Sequence, residues 1–162
     1  MTLDDDGPLD PLLFGANQPC FGCGPAHPIG FRLRFERHGD AVVTRFVPGE
    51  TYQGPPGIMH GGLVVALADE IGAWAIVALL GKFGFTAQFE GKLRAPVRIG
   101  IEVTGRGRIE REARRIVRTS VDLSQGEATV FAGAFTFALL DEKGAEQMLG
   151  GPLPEEWRRF AR

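Results

Sequence analysis

The sequence predicts a single α+β domain, and three observations carry that prediction. One long apolar run, LVVALADEIGAWAIVALL from Leu63 to Leu80, reads as a buried central helix. Around it lie stretches that alternate apolar and polar residues, as strands with one wet face do. Short turns rich in Gly, Pro and Asp join those stretches. That makes the sheet antiparallel and leaves one helix to cover its apolar face. A chain of 162 residues is one domain, long enough to bury a core without disulfides.

Residues 1–30 are full of turn formers (GPLDP, GANQP, CFGCGPAHPIG) and read as an irregular arm, with a short helix near Pro11–Phe14. Residues 31–140 form the domain proper. Phe31–Arg37 alternates and is the first strand, His38-Gly39-Asp40 is a turn, and Ala41–Val47 completes a hairpin. Pro48–Gly57 is too rich in Pro and Gly to be regular. The helix starts near His60 and stops at Gly81, a glycine placed for a left-handed C-terminal cap. Four strands follow. Phe85–Leu93 ends at the Arg94-Ala95-Pro96 break. Val97–Ile109 carries Gly100, Gly105 and Gly107 as bulge sites and turns at Glu110-Arg111-Glu112. Arg114–Leu123 and Ala128–Leu140 are joined through Ser124–Glu127. The total is about six strands. Residues 141–162 are a polar tail with a short helix at Pro154–Phe160.

Composition removes several function classes. Net charge is −2, so nothing global attracts nucleic acid. Asp69 and Glu70 sit inside the apolar run, and each costs about 2.5–3.5 kcal/mol at a bilayer centre, so no membrane span is expected. The acidic start, MTLDDD, lacks the apolar run of a secretory signal, and two cysteines make no disulfide framework. A reducing cytoplasm is the expected compartment. No P-loop, dinucleotide fingerprint or nucleophile elbow is present.

The chemistry gathers at the helix. Gly57-Ile58-Met59-His60-Gly61-Gly62 leads into it, and a helix start offers unpaired N–H groups with partial positive charge. Two glycines there admit a ligand to the backbone, which suits an oxyanion hole. Asp69 is the second anomaly, because aspartate is rarely buried unpaired and burial raises its pKa, as catalytic bases require. Asp69 and Glu70 point about 100° apart, so both cannot share a narrow wet stripe. His60 and Asp69 are nine positions apart, about half a turn out of phase and roughly 13 Å along the axis. Asp69 therefore does not serve the helix start of its own chain. If both act, they meet across a two-fold dimer.

The stretch HGGLVVALADEIGA resembles the helix of hotdog-fold acyl-CoA thioesterases of the phenylacetate (PaaI-like) type. The likeness runs upstream through Tyr52–Met59 and downstream to Thr86 and Lys92–Val97. The opening CFGCGPAHPIGF is also similar to one branch, in which His27 is more usually Asn and Phe31 more usually Leu. The resemblance covers about residues 20–140. It implies a hotdog fold, a homodimer or a dimer of dimers, two sites at the interface, and hydrolysis of an acyl-CoA without a cofactor. It implies that Asp69 is general base or nucleophile, that Gly61 or Gly62 polarises the carbonyl, and that Thr86 helps place the water. His60 or Gln53 supplies a polar contact near the thioester. Some relatives carry Asn six residues before the His, where this chain has Gly54, and Gln53 is the candidate for that second carbonyl contact. Met59, Phe85 and Arg94 are assigned to substrate binding, Phe85 as acyl-pocket wall.

Two other features have plainer readings. Cys20-x-x-Cys23 with His27 lacks a fourth zinc ligand unless His38 or a carboxylate supplies it, so two turn-packing thiols and no metal are expected. The arginines from Arg106 to Arg118 interleave with Glu110 and Glu112 as a solvated hairpin, with one or two free to hold coenzyme A phosphates. A hydroxyacyl-CoA dehydratase of the same fold would need a His where Arg45 stands. A non-catalytic acyl-CoA binding module would gain nothing from a desolvated Asp69.

Overall fold

The computed structural model of the protein describes residues 5–161. Seven strands form one antiparallel sheet in the order β1-β2-β3-β5-β6-β7-β4: β1 Gly7–Pro8, β2 Phe35–His38, β3 Ala41–Phe46, β4 Gly84–Leu93, β5 Val103–Ala113, β6 Ile116–Gln125 and β7 Ala128–Leu139. A single long helix, α1 (Gly61–Leu80), lies in the concave face against β3, β5 and β6. This is the α+β hotdog arrangement that the sequence predicts, with a two-residue β1 added at the sheet edge. By length and composition α1 could cross a membrane. In the fold ten of its residues, from Val64 to Ala78, are buried inside the domain.

The ends of α1 follow from their residues. His60 is the N-cap, with its Nδ1 accepting the Gly62 N–H at 3.0 Å. Gly81 takes a left-handed φ of 62° and closes the helix through its N–H to the Val77 carbonyl. The sheet is bare of side chains where α1 crosses it. A Cβ on Gly105 would lie 2.3 Å from Ile71 Cδ1, and one on Gly107 would lie 2.9 Å from the Ile71 carbonyl. These two glycines sit in regular register, so they allow close packing and are not bulges; the β5 irregularity falls between Ile109 and Arg111.

Several boundaries differ from expectation. Residues 31–34 are outside the β2 ladder because their backbone pairs with the arm: the Phe31 N–H donates to the Phe21 carbonyl and Leu33 N–H to Gly22, both at 2.9 Å. Residues 97–102 are also outside a strand. The Gln125 side chain clasps their backbone, accepting from Arg98 N–H and donating to the Arg98 and Ile101 carbonyls. Glu110-Arg111-Glu112 is no turn. The β5–β6 ribbon runs on to Ala113↔Ile116 and turns at Arg114, whose φ is +54°. The last four residues of β5 are all exposed, so no apolar period marks its end. The turn into β7 is only Gly126-Glu127.

The arm and tail complete the core. Asp141 caps a second helix, α2 (Glu142–Leu149), that the sequence reading had as polar tail; its Oδ1 accepts the Gly144 N–H at 2.8 Å, and Gly150 ends it at φ 71°. A third, short helix, α3 (Glu155–Arg158), lies within the expected Pro154–Phe160 segment, and residues 11–14 make turns rather than a helix. Leu153, Phe160, Leu13 and Phe14 are all buried, and Phe14 packs on Trp157 with centroids 4.4 Å apart.

Candidate active site

Asp69 projects from the middle of α1 into two connected hollows. One is an aromatic cavity of about 250 Å³ walled by Phe14, Trp74, Phe83, Phe85, Phe137 and Trp157, with Cys20, Cys23, Asp69, Glu70 and Thr86 as its polar members. The other is an open cleft of about 520 Å³ between α1 and β4, lined by Gly62, Val65, Ala66, Asp69 and Thr86–Phe89. Thr86, on β4, donates its hydroxyl to Asp69 Oδ1 at 2.6 Å. Burial raises the Asp69 pKa, and the Thr86 hydrogen bond works in the opposite sense. A half-buried carboxylate fixed by one hydroxyl at a cavity mouth is suited to accept a proton or to attack a carbonyl carbon.

The helix start forms a separate place. Gly61, Met59, Leu93, Arg94 and Pro96 line a third cleft of about 360 Å³. The first four N–H groups of α1 have distinct fates. Leu63 and Val64 donate to the His60 carbonyl, and Gly62 donates to His60 Nδ1. Gly61 alone has no hydrogen-bond partner among the described residues, so of the two glycines it is the one free to polarise an oxygen. Arg94 is exposed at the rim, and Met59 is buried beneath it.

The expected residues thus fall into two groups. Asp69, Thr86, Phe85 and Gly62 come together; Gly61, His60, Met59 and Arg94 gather about two turns away. Gly62 shares the Asp69 stripe because seven residues is close to two turns, yet it lies about 10 Å up the axis. Gln53 joins neither. Its Oε1 accepts the Gly57 N–H at 2.6 Å and its Nε2 donates to the Glu50 carbonyl, so both amide ends hold their own loop. Within the arginine-rich ribbon, Arg118 pairs with Glu110 and Glu90, and Arg115 with Asp141.

Glu70 was not singled out as a site residue, although its place is specific. Its Oε1 accepts the Trp74 Nε1–H at 3.1 Å, and Cys20 Sγ lies 3.4–3.5 Å from both carboxyl oxygens. Burial, with the Cys20 charge next, pushes its pKa up to about 8. The Cys23 S–H and backbone N–H groups donate to Cys20 and hold its thiol down at about 5, and Cys23 is pushed up in return. The readable signal is Glu70-x-x-x-Trp74, one helical turn, inside an apolar run.

Comparison with known proteins bears on the fold. The thioesterase superfamily model matches residues 56–132. No curated protein matches the sequence. Among solved structures, a thioesterase superfamily protein aligns at 25% identity and TM-score 0.69, over 76% of this chain and 62% of its own length. This chain therefore spans under two thirds of that relative. A hypothetical thioesterase from Streptococcus pneumoniae, solved with coenzyme A, aligns at 22% identity and TM-score 0.62, covering 66% of this chain and 87% of that one. A putative phenylacetic acid degradation-related thioesterase from Ralstonia eutropha aligns at 22% and 0.61, over 67% and 85%. Residues 56–132 match the thioesterase superfamily, and the fold around them is the hotdog arrangement.

Proposed function

We propose that this protein hydrolyses the thioester of an acyl-CoA, using Asp69 as general base or nucleophile and the Gly61 N–H as the carbonyl's hydrogen-bond donor. The observation that carries the reading is Asp69, desolvated and bonded to Thr86 at the mouth of an aromatic cavity, within the stretch that matches the thioesterase superfamily. Thioester hydrolysis fits that superfamily, and the neighbour solved with coenzyme A supports the CoA part of the substrate.

Asp69 and Gly61 are eight residues apart on one rigid helix, roughly 12 Å along its axis. One thioester cannot touch both, so the productive site joins Asp69 of one copy to Gly61 of another. The sheet supports such an assembly. β4 is an edge strand, its residues from Thr86 to Leu93 are all exposed, and Phe89 and Leu93 keep 57% and 55% of their surface. A long unpaired edge that exposes Phe89 and Leu93 calls for cover, and pairing β4 with β4 of a second copy is an isologous way to provide it. In that dimer the acyl group enters the aromatic cavity, the thioester lies at Asp69, and Arg94 at the rim meets the anionic CoA. The cavity size suits a compact acyl group.

A panel of acyl-CoA substrates, followed by release of free thiol, tests the activity. Turnover of compact aromatic or short acyl thioesters supports it. No thiol release across the panel overturns it.

A further inference from the structure

Three acidic groups on the cavity floor have no task in that reaction. Cys20, Cys23 and Glu70 each bring a ligand atom to within 4.8 Å of the others. We propose that they bind a zinc ion, as two thiolates and one carboxylate, with the fourth position open to the cavity for water.

The spacing fits. Zinc holds sulfur at about 2.3 Å and carboxylate oxygen at about 2.0–2.2 Å, so tetrahedral neighbours lie roughly 3.6 Å apart. Cys20 Sγ lies 3.4 Å from Glu70 Oε2 and 3.5 Å from Oε1. By sequence, His27 is the third candidate ligand and His38 or a carboxylate the fourth. His27 Nδ1 instead accepts the Ile29 N–H, and His38 pairs with Glu36. The carboxylate comes from α1, fifty residues beyond Cys20.

The groups behind the ligands orient them, as supporting hydrogen bonds do in metal sites. Gln18 is buried and bridges the pair, its Oε1 accepting the Cys20 N–H at 3.2 Å and its Nε2 donating to Cys23 Sγ at 3.1 Å. The Trp74 N–H holds Glu70 Oε1 and leaves Oε2 for a metal. Gly22 lets the turn sit flush on the carboxylate, since a Cβ there would fall 2.4 Å from Glu70 Cγ and Cδ.

Charge points the same way. Among the described residues, no Lys, Arg or His lines the cavity to balance the charge that two thiolates and a carboxylate carry. A divalent cation reduces three negative charges to one, and binding releases the cluster's remaining protons to solvent. Two thiolates favour zinc over hard cations such as magnesium.

Cobalt substitution tests the proposal without reference to activity. The full chain, reduced and stripped of metal, is titrated with cobalt(II). The expected result is one cobalt per chain, with a near-ultraviolet thiolate-to-metal charge-transfer band that zinc abolishes by displacement. Cys20→Ser and Cys23→Ser should each weaken binding at least ~100-fold. Glu70→Gln and Gly22→Ala should keep the band but weaken binding roughly 10-fold, the low end for perturbed metal sites. A reduced wild-type chain with no charge-transfer band overturns the proposal, and that measurement stands even if a variant fails to fold. Cobalt binding unchanged by both Cys→Ser substitutions overturns it as well.

Discussion

Asp69 and Glu70 are consecutive residues on one helix, yet they face different worlds. Asp69 opens onto the cleft beside β4, where one hydroxyl restrains it and solvent or a substrate can reach it. Glu70 turns about 100° toward the arm, where a tryptophan N–H and a cysteine pair enclose it. Both carboxylates line the aromatic cavity, and helix phase together with the packed arm gives them different partners. In the proposed reading the open one reacts and the enclosed one holds a metal.

That contrast breaks most readily at Asp69. Asp69→Asn should retain the fold and lower kcat at least ~100-fold, the low end for loss of a general base. Glu70→Gln should lower it less than ~10-fold. Equal effects in a thiol-release assay would mean that the two faces are not functionally distinct.

A mixing experiment asks whether the open face is completed by a second copy. Asp69→Ala and Gly61→Pro homodimers should both be inactive. Unfolded together and refolded, about half the dimers are mixed, and each mixed dimer holds one intact site of two. Activity should then approach roughly a quarter of wild type. Background activity from a sample shown to contain mixed dimers would place each site within one chain.

Two smaller effects sharpen the picture. Thr86→Val removes the hydroxyl that fixes Asp69 and should lower kcat/KM roughly 10-fold, in keeping with a hydrogen bond to a charged group. Its KM should change less than its kcat. On the sheet-facing side of α1, the Thr119 hydroxyl is fully buried and lacks a partner among the described residues. Thr119→Val should stabilise the fold by about 1 kcal/mol, because an unsatisfied polar atom is removed at nearly constant shape. That corresponds to a rise in Tm of roughly 2–4 °C for a domain of this size. A fall in Tm would show that the hydroxyl has a role in packing α1.

The helix was legible in the sequence because its signals are local. An apolar run, a His-Gly-Gly start and a Gly81 stop all lie within a few residues of the boundaries they mark. The β5–β6 turn was not, since Glu110–Glu112 and Arg114–Arg115 are equally polar and β5 is exposed throughout its last four residues. Asp69 stood out as a charge in an apolar context. Glu70 carried the same signal, but its meaning depends on Cys20 and Cys23, which only the packing of the arm brings to it. Gln53 had the right chemistry in the right loop, and the loop itself uses both ends of its amide. Sequence spacing identifies a group's type and helix phase; whether a neighbour has already claimed it is a tertiary fact.

The wall of the aromatic cavity has a divided origin. Trp74, Phe83 and Phe85 belong to the segment shared with the superfamily, whereas Phe14 comes from the arm and Trp157 from the tail, outside residues 56–132. Phe14 packs at a tilt against Trp157 and Phe160, so the arm and the tail meet at the cavity as one panel. The panel meets α1 at Trp74, whereas Asp69 and Thr86 are held by their own hydrogen bond. Grafting arms and tails from relatives onto this core is thus a modular route to new acyl preferences, in which the shape of the chamber drifts while the reacting groups stay fixed.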